Sequence, residues 1–305
     1  MKSFTQIRKF FKILKKWPWW THLYGGFSFI GLVSAIVSLF LYLYFGNNII
    51  KVEANDNVLT LYNKIGKIKI RTFESHINKV VLCDLYDKGK NKIILGFDEL
   101  GGNKNQIVAL NSHKVIWPFT YQYSIKCPYE TPADYSFNLK TNDILFTKDR
   151  GENHIAVLMG DGKWYQSVLF ILSAEGKLLK DFWHPGQLLD IKHYNKGYVV
   201  EGVNNDLHNL FPDSAKSAYC HVIFSLQYNH IWRAFPSKNI DEKRKNRLID
   251  WYYYVLPLNS NIYNIRTDSN SVFFWVNDRE FRVDKDGMIN KIADGDCKYP
   301  VFPTM

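Results

Sequence analysis

Beyond residue 51 the chain alternates short apolar runs with polar breaks, and no stretch keeps a helical period for more than about ten residues. The runs are Val58–Tyr62, Lys67–Arg71, Lys79–Cys83, Lys92–Phe97, Gln106–Leu110, Ile144–Phe146, His154–Met159, Gln166–Leu172, Leu188–Ile191, Tyr198–Glu201, His221–Leu226 and Val272–Val276. They are rich in Val, Ile, Phe or Tyr and bounded by Gly, Asn or Asp, the pattern of strands closed by tight turns. Two short helices are expected, over Phe211–Ala218 and Asp241–Trp251. The pattern predicts an all-β domain.

The N-terminal part differs. No Lys, Arg, Asp or Glu stands between Lys16 and Lys51, and Leu23–Phe45 is uncharged throughout. A helix of about 20 residues crosses a hydrocarbon layer about 30 Å thick, so this stretch is long enough to span one. Trp17, Trp19 and Trp20 at one end, and Tyr42 and Tyr44 at the other, are placed as interfacial rings. Lys2, Arg8, Lys9, Lys12, Lys15 and Lys16 precede the span without an acid among them, which puts the N-terminus in the cytoplasm and the bulk of the chain outside. The expected organisation is a basic cytoplasmic tail (1–22), a transmembrane helix (23–45) embedded in lipid, a linker (46–56) and an extracytoplasmic domain (57–305).

Within that domain the runs repeat. Gly-containing turns recur in Asn63–Ile68, Ser173–Leu178 and Asp284–Ile289, where Gly supplies the backbone reversal. Asp84 and Gly96 are 12 residues apart, as are Asp190 and Gly202. Ile107–Leu110 followed by Ile116–Trp117 matches Val222–Leu226 followed by Ile231–Trp232. Corresponding landmarks lie 106 to 115 residues apart, the length of two units of about 50, so roughly five such units fit the domain.

The segment Leu82–Gly96, with Asp84, Asp87 and Gly89 leading into Ile93-Ile94-Leu95-Gly96, resembles an integrin-alpha-type propeller repeat of the FG-GAP or VCBS kind. Phe182–Gly186 and the strand to Gly202 with Val203-Asn204-Asn205 are similar to bacterial, membrane-anchored proteins of that type. The resemblance implies a degenerate or incomplete β-propeller-like repeat domain and no assigned activity. It also implies a calcium loop, but Ca²⁺ needs about six to eight hard oxygens. The family's remaining acidic positions fall on Tyr86, Lys88 and Lys92, and in the second copy on Lys192 and Tyr194. These loops are expected to persist as turns, without metal or other cofactor.

Charge and chemistry narrow the function. The net charge is +10, but without residues 1–16 there remain 33 basic against 29 acidic residues, which is no nucleic-acid footprint. The basic stretch Lys243–Arg247 beside Trp251–Tyr254 is read as a solvated face or a rim. No nucleophile elbow, zinc-protease helix, dinucleotide loop or phosphate loop is present. Cys83, Cys127, Cys220 and Cys297 are too dispersed for a zinc knuckle and leave three disulfide pairings open. Cys83 and Cys220 lie in apolar runs and read as packed thiols, so Cys127 with Cys297 is the pair if a disulfide forms. Trp183 and His184, shaped by Pro185 and Gly186, and Asn204, Asn205 and Asp206 after a strand, are the candidate binding residues. Together these features suggest a membrane-tethered extracytoplasmic binding or assembly module, without catalysis of its own, that meets a protein or glycan partner. The alternative is a hydrolase in which His184, Asp190, Asn204 and Asp206 converge in one cleft.

Overall fold

The computed structural model describes residues 30–40, 48–98, 106–121, 138–149, 151–162, 166–184, 186–194, 197–204, 220–227, 249–255, 262–276, 279–284, 289–291 and 302–303. The basic tail, both ends of the expected span, Phe211–Ala218, Asn205, Asp206, Cys127, Cys297 and the Ile231–Trp232 landmark lie outside these residues. Residues 30–40 form a helix whose side chains are all exposed. Among the described residues, no helix is long and apolar enough to cross a membrane.

The rest is mostly β, arranged as five antiparallel sheets that follow one another along the chain. The first holds β1 (Lys51–Asn55), β2 (Val58–Asn63) and β3 (Gly66–Thr72). The second holds β4 (Ile77–Cys83), β5 (Lys92–Phe97), β6 (Ile107–Leu110) and β7 (Val115–Phe119). The third holds β8 (Leu139–Asp149), β9 (Glu152–Asp161), β10 (Ser167–Ser173) and β11 (Leu178–His184). The fourth holds β12 (Leu188–Tyr194), β13 (Gly197–Asn204), β14 (Cys220–Gln227) and β15 (Ile249–Val255), and β20 (Phe302–Pro303) joins its edge. The fifth holds β16 (Ile262–Thr267), β17 (Ser271–Val276), β18 (Arg279–Asp284) and β19 (Ile289–Lys291). Each is a meander in which successive strands pair.

Each sheet packs on the next, and each junction has its own apolar core. Along β9 the residues alternate by face: Ile155, Val157 and Met159 face the second sheet, while Ala156 and Leu158 face the fourth. β10 divides in the same way, with Val168, Phe170 and Leu172 on one side and Leu169 and Ile171 on the other. A strand covered on both faces reads as a continuous apolar run, which is why the middle strands stand out in the sequence. Leu59 and Leu61 meet Ile93 and Leu95 between the first two sheets, and Tyr194, Val199 and Ile223 meet Ile262, Val272 and Phe274 between the last two.

The first strands β1, β4, β8, β12 and β16 lie side by side in that order. Most carry a bulge: the register shifts between Ile77 and Lys79, Thr141 and Asp143, Leu188 and Asp190, and Tyr263 and Arg266. A bulge twists its strand and re-aims the side chains that follow. In two of them the extra residue is an asparagine that ties one sheet to the next. Asn78 donates to the Thr141 carbonyl, and Asn142 to the Leu188 carbonyl at 2.6 Å.

Several expectations need correction. Within the expected linker 46–56, Lys51–Asn55 is β1 and Ile49 is buried in the first core, so the described residues 48–56 belong to the domain. β1 pairs fully with β2 but is exposed at every residue except the half-buried Val52, so its polar composition hid it. The C-terminal end of the expected helix Asp241–Trp251 is strand, since Ile249–Val255 pairs with β14. The Asp–Gly correspondence does not hold in the fold. Gly96 opposes Lys79, the residue after the β4 bulge, whereas Gly202 opposes Leu188, the residue before the β12 bulge. Asp84 lies in the long connection after β4, whereas Asp190 lies inside β12, whose hairpin to β13 closes after Tyr194.

Candidate functional site

Because the first strands are adjacent and their bulges recur, the residues just past each bulge meet across sheet boundaries. Lys79 of β4 reaches Asp143 of β8, Nζ to Oδ1 at 3.5 Å. Asp143 Oδ2 accepts from the Ile191 amide of β12 at 3.2 Å, and its carboxyl lies beside that of Asp190. Lys192, two residues along β12, closes the row with Nζ 2.7 Å from Asp190 Oδ1. Glu201 stands directly opposite Asp190 on β13. Three carboxyl groups and two ammonium groups thus line one surface across the second, third and fourth sheets.

The environment separates their chemistry. Burial raises the Asp143 carboxyl above its ordinary range, and the neighbouring Asp190 raises it further, against the pull of Lys79. Glu201 is 7% exposed and has no hydrogen-bond partner among the described residues. Its pKa is pushed up to about 8, first by burial and then by Asp190, with Lys192 opposing. At neutral pH it is therefore mainly a neutral acid. Asp190, Lys192 and Lys79 retain 32%, 39% and 42% side-chain exposure, so the row is reachable from solvent. It can accept hydrogen bonds from a bound group and exchange protons as it does so.

Of the candidate binding residues, Trp183 and His184 lie apart from this row. Trp183 and His184 end β11 and are both fully buried. Trp183 Nε1 donates to Asp181 at 3.0 Å, and its ring meets Tyr121 edge-on. His184 stacks on Phe224 with centroids 5.3 Å apart, and its Nδ1 accepts from the Gly186 amide at 3.0 Å. Burial lowers its pKa to about 4, so it stays neutral as a packed, backbone-capping ring. Burial removes both from a ligand-facing surface: Trp183 belongs to the core between the second and third sheets. Asn204 ends β13, and Asn205 and Asp206 lie outside the described residues. Of the hydrolase constellation, His184 is buried against Phe224 and the Gly186 backbone, while Asp190 pairs with Lys192.

The 84–91 loop holds itself. Asp84 accepts from the Lys88 amide at 3.1 Å and the Gly89 amide at 2.6 Å, while Asp87 and Gly89 take left-handed backbone. Leu85 is buried, and its carbonyl accepts from Asn153 at 3.0 Å. Lys148 pairs with Asp87 at 2.6 Å. Among the described residues no three His, Cys, Asp or Glu side chains are grouped to hold a metal ion. Cys83 is a buried free thiol whose pKa is raised to about 12, chiefly by burial.

Asp143, Glu201 and Lys79 were not singled out by sequence reasoning. A usable signal was present: Glu201 is the one acid inside Tyr198–Val203, an apolar run whose residues are otherwise buried or half-buried.

No family model and no curated protein matches this chain. Among solved structures it is similar to a crystal structure of BBS1N in complex with ARL6DN, at 10% identity and a TM-score of 0.44. The match covers 78% of this chain and 62% of that one.

Proposed function

We propose that the chain is a membrane-tethered binding or assembly module: a single span near residues 23–45 and, outside the membrane, a degenerate β-propeller-like array of five meander units. The span rests on the uncharged stretch Leu23–Phe45 between basic and neutral flanks. The propeller-like reading rests on the repeated meanders, whose first strands stand side by side, and on the bulge asparagines that join them. The observation that carries the binding role is the row Lys79–Asp143–Asp190–Lys192. It lies on adjacent first strands, is partly exposed and carries both signs of charge, the chemistry that takes polar groups of a protein or glycan.

Crosslinked co-purification from native membranes tests this, comparing the unaltered full chain with D190N/K192Q. A stoichiometric partner held by the unaltered chain and lost by the variant is the expected result. A partner held equally by both moves the contact off the row, and no partner with either overturns the binding role.

A further inference from the structure

The start of the domain is pinned. Asn48 stands three residues after Phe45, a reach of at most about 11 Å for extended chain. From there the backbone is locked to the body. Asn48 Nδ2 donates to the Gly89 carbonyl at 3.3 Å, its Oδ1 accepts from the Asn91 amide at 3.1 Å, and Asn91 Nδ2 donates to the Ile49 carbonyl at 2.8 Å. Ile49 is buried, and the Ile50 amide bonds Tyr62. The 84–91 loop therefore sits at the point where the chain leaves the residues read as the span.

The strand directions bring other turns to the same end. Lys51 opposes Tyr62, so the β2–β3 turn at Lys64 and Ile65 lies there. β5 starts beside the 84–91 loop, so its neighbour β6 ends there, and the turn with His113 and Lys114 joins the rim. Lys88, Lys90, Lys114, Lys64 and Ile65 are all exposed, with Ile65 65% exposed. The acids of this part are already engaged: Asp84 with loop amides, Asp87 with Lys148 and Glu53 with Lys51. Asp149, Glu152 and Glu175 belong to turns of the third sheet, so the cationic rim is confined to the first two sheets.

We propose that this rim, chiefly Lys88, Lys90 and Lys114 with Ile65 beside them, rests on anionic lipid headgroups of the outer leaflet and sets the tilt of the domain on the membrane. The proposal rests on the membrane-span reading given above. The pinned attachment supplies the proximity, and the exposed Lys88, Lys90 and Lys114 supply the sign of the partner.

Lysine acetylation footprinting of the full chain in nanodiscs tests it, using phosphatidylcholine alone or with phosphatidylglycerol. In the anionic discs, acetylation of Lys88, Lys90 and Lys114 should slow by about five-fold each, the factor one headgroup-paired cation supplies, and high salt should abolish the effect. Lys140, near the opposite end of β8, should react equally in both. K88Q/K90Q, which keeps the Asp84 acceptor bonds to the backbone, should weaken the protection of Lys114. Discs that retain the chain but show equal reactivity overturn the rim and leave the span standing. A chain retained by neither disc type overturns the span and this proposal with it. Protection in native membranes but not in anionic discs assigns the rim to a protein and overturns the lipid reading.

Discussion

Gly96 offers the sharpest test of how the sheets are joined. It lies in β5 opposite Lys79, and a Cβ there would stand 2.4 Å from Thr141 Cγ2, 2.7 Å from its Cβ and 2.8 Å from its Oγ1. Thr141 is fully buried on β8, and its carbonyl accepts the hydrogen bond from Asn78, so it is fixed from the backbone side. In open space, Gly96→Ala would stabilise by about 0.4–1 kcal/mol, because alanine restricts the unfolded chain. Overpacking a filled junction costs about 1–3 kcal/mol. The two accounts thus differ in sign, and the structure predicts a net loss of about 1–2 kcal/mol. For a chain of this size that lowers Tm by roughly 2–8 °C.

The rescue is specific. Thr141→Ala leaves the Cβ at 2.7 Å and should not relieve Gly96→Ala, whereas Thr141→Gly removes all three clashing atoms and should recover at least about 1 kcal/mol as coupling in a double-mutant cycle. Urea unfolding of the full chain in detergent, followed by tryptophan fluorescence, suits the question because Trp117 and Trp183 are buried in the core between the second and third sheets. Gly162→Ala, with nothing within 4 Å of the added Cβ, is the control. A G96A chain as stable as the unaltered one, or equal rescue by Ala and Gly at 141, would refute the close approach.

Two further outcomes follow from the charged groups. Glu201 has a folded pKa of about 8, raised from 4.5, so its contribution is fully present below about pH 4.5 and is lost as pH rises through 8. Thermal melts should show Glu201→Gln gaining stability over the unaltered chain between pH 5 and pH 8.5, on the order of a few kcal/mol; parallel curves would show that Glu201 ionises normally. In the 84–91 loop, Asp84→Ala strips the acceptor from two amides and should cost about 1–3 kcal/mol, while Lys148→Ala, losing an exposed pair, should change stability by less than about 1 kcal/mol. A calcium chelator should leave the melting curve unmoved, and a clear drop would restore metal binding to the loop.

The sequence made most of the strands legible because burial on both faces leaves a mark that no local accident imitates. All twelve apolar runs overlap strands, and the middle strands β5, β9, β10, β13 and β14 were the plainest. Many of the strands not foreseen are first or last in a sheet, such as β1 and β11, where one face or edge is open and charged residues interrupt the pattern. The site was less legible, for a geometric reason. Trp183 and His184 look like loop residues beside Pro185 and Gly186, yet the strand runs through them and the aromatic mass is absorbed by a junction between sheets. Asp143 and Asp190 are 47 residues apart, and nothing local announces that two bulges will set them side by side.

The Asp–Gly spacing shows how an equal count can join unequal positions. Gly96 opposes the residue after the β4 bulge, and its missing Cβ makes room for Thr141 of the next sheet, whereas Gly202 opposes the residue before the β12 bulge, and its missing Cβ makes room for the Gln187 backbone that leads into its own sheet. The bulges themselves recur in β4, β8, β12 and β16. The aspartates obey no shared constraint. Asp84 closes a long loop through backbone amides, while Asp190 joins a row of charges across sheets, so their equal distance from glycine is coincidence. A feature imposed by the repeated packing keeps its place in every unit, whereas residues in the connections are free to take up different work. The loop that closes on Asp84 and displays Lys88 and Lys90, and the strand that displays Asp190 and Lys192, are two such outcomes on one repeated frame.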